Sequence, residues 1–109
     1  MKEEVIPVLR VEDAAVAVEW YEHLGFTKQW EHRFEPEMPA FVEVARGSVR
    51  LFLSEHLGDA RPDTLVYLRL GDVDAVAAEF GGRVKNIPGC EVELRDPDNN
   101  RIRIAGLPS

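Results

Sequence analysis

Apolar residues alternate with polar ones around Leu9 and Val11, then recur at helical intervals at Ala14, Ala17, Tyr21 and Leu24. This change of period predicts a strand followed by a helix. The same change occurs at Leu68 and Leu70, followed by Val73, Val76, Ala77 and Phe80. Asp13 and Asp72 stand where a helix N-cap is expected, and Gly25 and Gly81-Gly82 stand where the chain leaves each helix. Alternating segments then predict strands at Phe26 to Trp30, Phe41 to Ala45 and Val49 to Ser54, and again at Val84, Glu91 to Arg95 and Arg101 to Ala105.

These segments form an internal repeat. Val8-Leu9-Arg10-Val11-Glu12-Asp13 corresponds to Tyr67-Leu68-Arg69-Leu70-Gly71-Asp72, 59 positions on. Later, Val42-Glu43-Val44 corresponds to Val92-Glu93-Leu94, and Arg50-Leu51-Phe52-Leu53 to Arg101-Ile102-Arg103-Ile104. Each half reads β-α-β-β-β, with modules at about 4–57 and 62–106. The predicted fold is α+β, a curved mixed sheet carrying one helix per module, in a single domain spanning 1–109.

Strand alternation assigns side chains to faces. Leu9, Val11, Val42, Val44, Leu51, Leu53, Val66, Leu68, Leu70, Val92, Leu94, Ile102 and Ile104 make one apolar face, expected to pack beneath the helices. The opposite face holds Ile6, Val8, Arg10, Phe41, Glu43, Arg50, Phe52, Ser54, Leu65, Tyr67, Arg69, Glu91, Glu93, Arg101 and Arg103. That mixture is too polar for a core and too aromatic for plain surface, so a ligand is expected there.

Composition narrows the partners. Twenty acidic against thirteen basic residues give a net charge of −7, which disfavours nucleic acid and anionic membranes. No apolar run is long enough to span a bilayer. Met1-Lys2-Glu3-Glu4 does not open a secretory signal, and the single cysteine, Cys90, has no partner for an internal disulfide. A cytoplasmic location is the expectation.

The two halves, with Val11-Glu12-Asp13, Trp20-Tyr21-Glu22-His23-Leu24-Gly25-Phe26 and Asp96-Pro97-Asp98-Asn99-Asn100-Arg101-Ile102, resemble the vicinal-oxygen-chelate superfamily of glyoxalases, extradiol dioxygenases and bleomycin-resistance proteins. Ile6-Pro7-Val8-Leu9 with Leu51-Phe52-Leu53-Ser54 is most similar to the bleomycin-resistance branch. The resemblance implies a homodimer with grooves between subunits. It also implies, for the enzymes, a divalent metal held by one His or Glu from each of four strands. The matching positions here are Ile6, Leu65, Phe52 and Arg103, none of which offers an imidazole, carboxylate or thiolate. The resemblance departs at Ile87-Pro88-Gly89-Cys90-Glu91, which lacks the tryptophan of the branch's Pro-Trp-Gly. A stacking wall would then come from Trp30 or Phe34.

Other chemistry-bearing residues carry less. His23 lies at the carbonyl end of the first helix, where a cation is mildly favoured. His32 and His56 have no partner at metal-ligand spacing. Asp96, Asp98 and Asn100 mimic the start of a calcium loop, but Arg101 stands where its glycine belongs, so the segment reads as a hairpin turn. Cys90 has no nearby histidine, and Ser54-Glu55-His56 lacks a strand-turn-helix elbow.

The expected function is a cofactor-free homodimer that sequesters a flat aromatic, antibiotic-like small molecule. Phe41, Phe52 and Tyr67 would contact it, Trp30 or Phe34 would sit at the rim, and Arg50 and Arg103 flank it. Glu43, Glu91 and Glu93 would suit a cationic ligand, while Arg10, Arg50, Arg69, Arg101 and Arg103 would equally suit an anion. Two alternatives stand beside it: a metal-dependent glyoxalase-like lyase or dioxygenase, and an accessory protein with no small-molecule ligand.

Overall fold

In the computed structural model, which describes residues 3–82 and 89–108, the periodicities resolve into strands and helices in the expected order. The first module comprises β1 (Val8–Arg10), α1 (Ala14–His23), β2 (Thr27–His32), β3 (Phe41–Arg46) and β4 (Val49–Ser54). The second comprises β5 (Leu65–Leu70), α2 (Val73–Glu79), β6 (Val92–Arg95) and β7 (Arg101–Gly106). The strand expected at Val84 lies outside the described residues. Among the described residues, no helix is long and apolar enough to cross a membrane.

The mixed sheet is present in two hydrogen-bonded pieces, ordered β1-β4-β3-β2 and β5-β7-β6. β1 runs parallel to β4 and β5 parallel to β7, and the remaining neighbours are antiparallel. Val8 stands opposite Phe52, and Tyr67 stands opposite Arg103. The second pair is the repeat image of the first, so the internal duplication fixes register as well as element order. All thirteen residues assigned to the core face are buried, joined by Ala14, Ala17, Tyr21, Leu24 and Phe26 from around α1. Removing this apolar area from water is the main stabilising term.

The two N-caps behave differently. Asp13 Oδ1 accepts from the amides of Ala15 and Val16 at 3.0 and 3.4 Å, as expected of a cap. Asp72 makes no side-chain cap bond; its carboxylate is drawn instead to Arg46 of β3, so the expectation for it is corrected. The cause is the neighbouring guanidinium, a charged donor that outcompetes a neutral amide. Arg46 also donates to the carbonyl of Leu24 at 2.8 Å. Gly25, at φ +90° beyond the end of α1, leaves room for that guanidinium: a Cβ there would come within 3.1 Å of it.

The modules meet along a seam beneath the helices. Trp20 packs against Phe80 with ring centroids 5.5 Å apart, and His23 pairs with Glu79 at 2.9 Å on the surface. Deeper in the seam, the Tyr21 hydroxyl donates to Asp96 Oδ2 at 2.8 Å. Asp96 Oδ1 accepts from the amides of Asp98 and Asn100, each at 2.9 Å, and the Asn100 side-chain amide donates to Asp96 Oδ2 and to the carbonyl of Arg10, each at 3.0 Å. Burial, reinforced by the Asp96 charge, pushes the Tyr21 phenol far above its ordinary range. The two sequence signatures that are far apart in the chain thus form one buried polar clamp between the modules. The Asp96–Asn100 segment is the hairpin turn expected, with Asn99 at φ 65°.

Candidate functional site

The helices cover one face of the sheets, and the other face is open. On the first sheet an aromatic corner stands on this open face. Phe52 of β4 and Phe41 of β3 have ring centroids 5.0 Å apart, and Trp30 of β2 lies 6.0 Å from Phe41 in a stacked arrangement and 5.7 Å from Phe52. Trp30 reaches the corner through a β-bulge. Lys28 stands opposite Val44, but Trp30 stands opposite Glu43, so Gln29 is an extra residue in β2. Strict alternation from Thr27 would turn Trp30 toward the other face, and the bulge re-aims it.

A carboxylate anchors the corner. Glu43, buried between the rings, accepts from the Trp30 indole nitrogen at 2.7 Å and from Arg50 Nε and Nη2 at 2.7 and 2.8 Å. The Arg50 guanidinium beside it, and next the indole N–H, hold its carboxyl below the ordinary carboxylate range although burial pulls the other way. Arg50 is held charged by the same contact, and its remaining amino group donates to Glu4 at 2.6 Å. A bidentate fork of this kind fixes orientation as well as charge. Glu43 therefore acts as a brace for Trp30 rather than as an open acceptor.

The second sheet presents different chemistry at the repeat-equivalent positions. Where the first has Val8, Phe52 and Glu43 abreast, the second has Tyr67, Arg103 and Glu93. Tyr67 is half-exposed and donates to the carbonyl of Gly89 at 2.7 Å. Arg103 lies 3.4 Å from Glu93 through Nε, yet that nitrogen is buried without a hydrogen-bond partner, because the approach is off-line. A cleft of about 280 Å³ opens where the edges of the sheets diverge, lined in part by Pro7, Arg50, Tyr67 and Arg69.

The predicted site residues thus fall into groups. Phe41, Phe52, Trp30, Glu43 and Arg50 come together in the corner. Tyr67 and Arg103 belong to the other sheet. Phe34 joins neither: it is 75% exposed and packs edge-on against His32, 4.9 Å away. The loop from Arg33 to Ala40 joins β2 to β3 and carries its ring away from the corner. Sequence reasoning missed the direct Trp30–Glu43–Arg50 linkage, since no local pattern announces a bulge, and it missed Glu4, whose role depends on the chain end crossing Arg50. Ser54, assigned to the open face, is fully buried, with its hydroxyl donating to Asp59 at 2.7 Å. Cys90 is buried, its thiol 3.2 Å from the carbonyl of Val92. The stretch before Cys90 that departs from Pro-Trp-Gly lies largely outside the described residues.

The four positions implied for a metal do not fit one. Ile6 and Leu65 are aliphatic, Phe52 is packed into the aromatic corner and Arg103 brings a positive charge. A divalent cation needs oxygen, nitrogen or sulfur donors and would be repelled by a guanidinium. Among the described residues, no group of three or more His, Cys, Asp or Glu side chains is placed to hold a metal.

A larger hollow, about 600 Å³, lies at the start of α1, lined by Glu12, Asp13, Val16, Arg33, Glu55, Pro97 and Asp98. Three of its four carboxylates, Asp13, Glu55 and Asp98, are turned onto the protein. Glu55 accepts from the amides of Ala14 and Ala40 at 2.7 and 2.8 Å, and Asp98 from that of Glu12 at 2.8 Å. They satisfy main-chain amides at the starts of α1 and β3 rather than facing a ligand.

A family model described as glyoxalase superfamily protein matches residues 1–106. No curated protein matches the chain. Among solved structures, TnmS3, an antibiotic-binding protein from Streptomyces sp. CB03234, is 26% identical, with a TM-score of 0.71, covering 100% of this chain and 99% of that one. A bleomycin-binding protein complexed with bleomycin is 20% identical, with a TM-score of 0.69 and coverages of 98% and 100%. The trypanothione-dependent glyoxalase I of Leishmania major is 17% identical, with a TM-score of 0.71 and coverages of 96% and 87%. The last two share the fold; the set includes both binding proteins and enzymes.

Proposed function

The chain belongs to the glyoxalase superfamily, and from that membership we propose that it is a metal-free small-molecule-binding protein of the bleomycin-resistance type. It holds a flat aromatic, antibiotic-like ligand against Trp30, Phe41 and Phe52, in a groove completed by a second subunit. No bond is made or broken; a bound drug is withheld from its target by mass action.

The observation that carries this reading is the aromatic corner standing on the open face where the superfamily's enzymes have their metal chemistry. Trp30 is held by Glu43, which Arg50 fixes in turn, and Phe41 and Phe52 pack against its ring, so little side-chain freedom is lost when a planar ligand stacks on them. Phe52 occupies one of the four metal-ligand positions, so the feature that would receive the ligand is the same one that removes a donor. The likeness to TnmS3, an antibiotic-binding protein at 26% identity, supports a binding role.

The test is calorimetric titration of metal-analysed protein with metal-free bleomycin and with anthracenemethanol, a neutral planar probe, each with and without chelator. Saturable binding of either, near one per subunit and indifferent to chelator, is the expected result. Heats of dilution from both, or binding that needs a divalent metal, would overturn the proposal. Sedimentation of the same samples reads the subunit count, for which two is expected.

A further inference from the structure

The open face divides its chemistry between the sheets. The first sheet contributes Trp30, Phe41 and Phe52, and its one buried carboxylate, Glu43, is neutralised in place by Arg50. On the second sheet the register sets Leu65, Arg101 and Arg95 abreast, then Tyr67, Arg103 and Glu93, with Arg69 beside Ala105 beyond them. An acidic chain has collected guanidinium groups on one of its two sheets.

The carboxylates that would serve a cationic ligand are already engaged. Glu43 accepts from Arg50 and Trp30, Glu93 lies against Arg103, and Glu91 accepts from the amide of Gly106 at 3.0 Å. The cations are less well served. Among the described residues, the side chains of Arg69 and Arg101 have no hydrogen bond or ion pair, and Arg103 keeps a buried Nε–H unpaired. A buried donor left unpaired carries a desolvation cost that an acceptor would relieve, so that N–H has the most to gain from an arriving one. Arg69 and Tyr67 also line the cleft between the sheet edges, together with Arg50.

We infer that Arg103, with Arg101 and Arg69 beside it, forms an anion subsite, so that the ligand is a planar aromatic bearing a carboxylate, sulfonate or phosphate. This rests on the ligand-binding reading of the face. The ring system stacks on Trp30, Phe41 and Phe52 while its acidic group reaches across to the second sheet. Guanidinium forks suit such oxyanions in both charge and shape. The overall charge of −7 does not oppose this, because at physiological salt the field of distant surface charges is screened within roughly 8 Å.

Three probes with one ring system and different charge provide the test: anthracene carboxylate, anthracenemethanol and the aminomethyl analogue, titrated into the intact protein and followed by calorimetry. The carboxylate is expected to bind about tenfold more tightly than the alcohol, a typical gain for one charge-assisted contact, and the amine more weakly than both. Added salt should narrow the gap. Arg103→Met should erase the advantage of the carboxylate and leave the alcohol unchanged, Arg103→Lys should restore part of it, and Arg101→Met should give a smaller loss. Circular dichroism and binding of the alcohol show that each variant is folded. Alcohol or amine binding as tightly as the carboxylate, or an Arg103→Met variant that keeps the preference, would overturn the anion subsite and leave the aromatic groove standing. Failure of all three probes to bind would overturn both.

Discussion

The seam under the helices and the open face across the sheets are both built around a buried carboxylate, and they use it in opposite ways. At the seam, Asp96 is saturated by the Tyr21 hydroxyl, two backbone amides and the Asn100 side chain. On the face, Glu43 has two protein partners, and those partners, Trp30 and Arg50, themselves remain partly open to solvent. A closed polar network holds two modules in one arrangement; a braced but open one presents rigid side chains to something else. The difference separates residues that hold the modules together from residues that stand open on the face.

Breaking each region should therefore give different readouts. The largest effect is expected from Asp96→Ala, which strands a buried phenol, a side-chain amide and two main-chain amides: a loss of about 3 kcal/mol or more in denaturant unfolding. Tyr21→Phe removes one of those bonds and should cost about 1–2 kcal/mol, with ligand affinity unchanged. On the face the weighting reverses. Phe52→Ala should weaken binding of a planar probe by about tenfold, in keeping with loss of ring contacts, while stability falls less than in Asp96→Ala. Trp30→Phe keeps the stack but frees Glu43 from its indole, so a smaller loss of affinity is expected.

The smallest effects are in pH dependence, and they have opposite signs in the two regions. Glu43 has its folded pKa lowered from 4.5 by Arg50, so its contribution is present above the unfolded value and lost as pH falls through the lower folded one. Asp98, in the seam turn, has its pKa raised from 3.8, chiefly by burial; its contribution is present below 3.8 and lost as pH rises through the raised value. Stability profiles of Glu43→Gln and Asp98→Asn should each flatten on their own side: the first loses part of the acid decline, the second part of the decline toward neutrality.

Much of the fold was legible because strand parity and helix spacing are set by burial, and a duplicated chain states the pattern twice. The core face from Leu9 to Ile104 follows from alternation alone. The polar clamp was half legible: Trp20-Tyr21 and Asp96-Pro97-Asp98-Asn99-Asn100 stand out as motifs, but nothing local says that Tyr21 and Asp96, 75 positions apart, are bonded. Asp72 misled for a similar reason, since its partner Arg46 lies across the module boundary. At the site, Phe41, Glu43 and Phe52 follow from parity, whereas Trp30 depends on a one-residue bulge that reverses it. Phe34 looked equivalent to Trp30 in sequence; only the path of the loop separates them.

The claim that the aromatic corner is a metal-independent binding surface is tested most directly through Trp30 itself. In a Trp20→Phe background Trp30 is the only tryptophan left, so its emission reports the face alone. Titration with anthracene carboxylate or anthracenemethanol in the presence of chelator should quench that emission saturably. Emission that does not respond to either probe, or responds only after a divalent metal is added, would contradict the account.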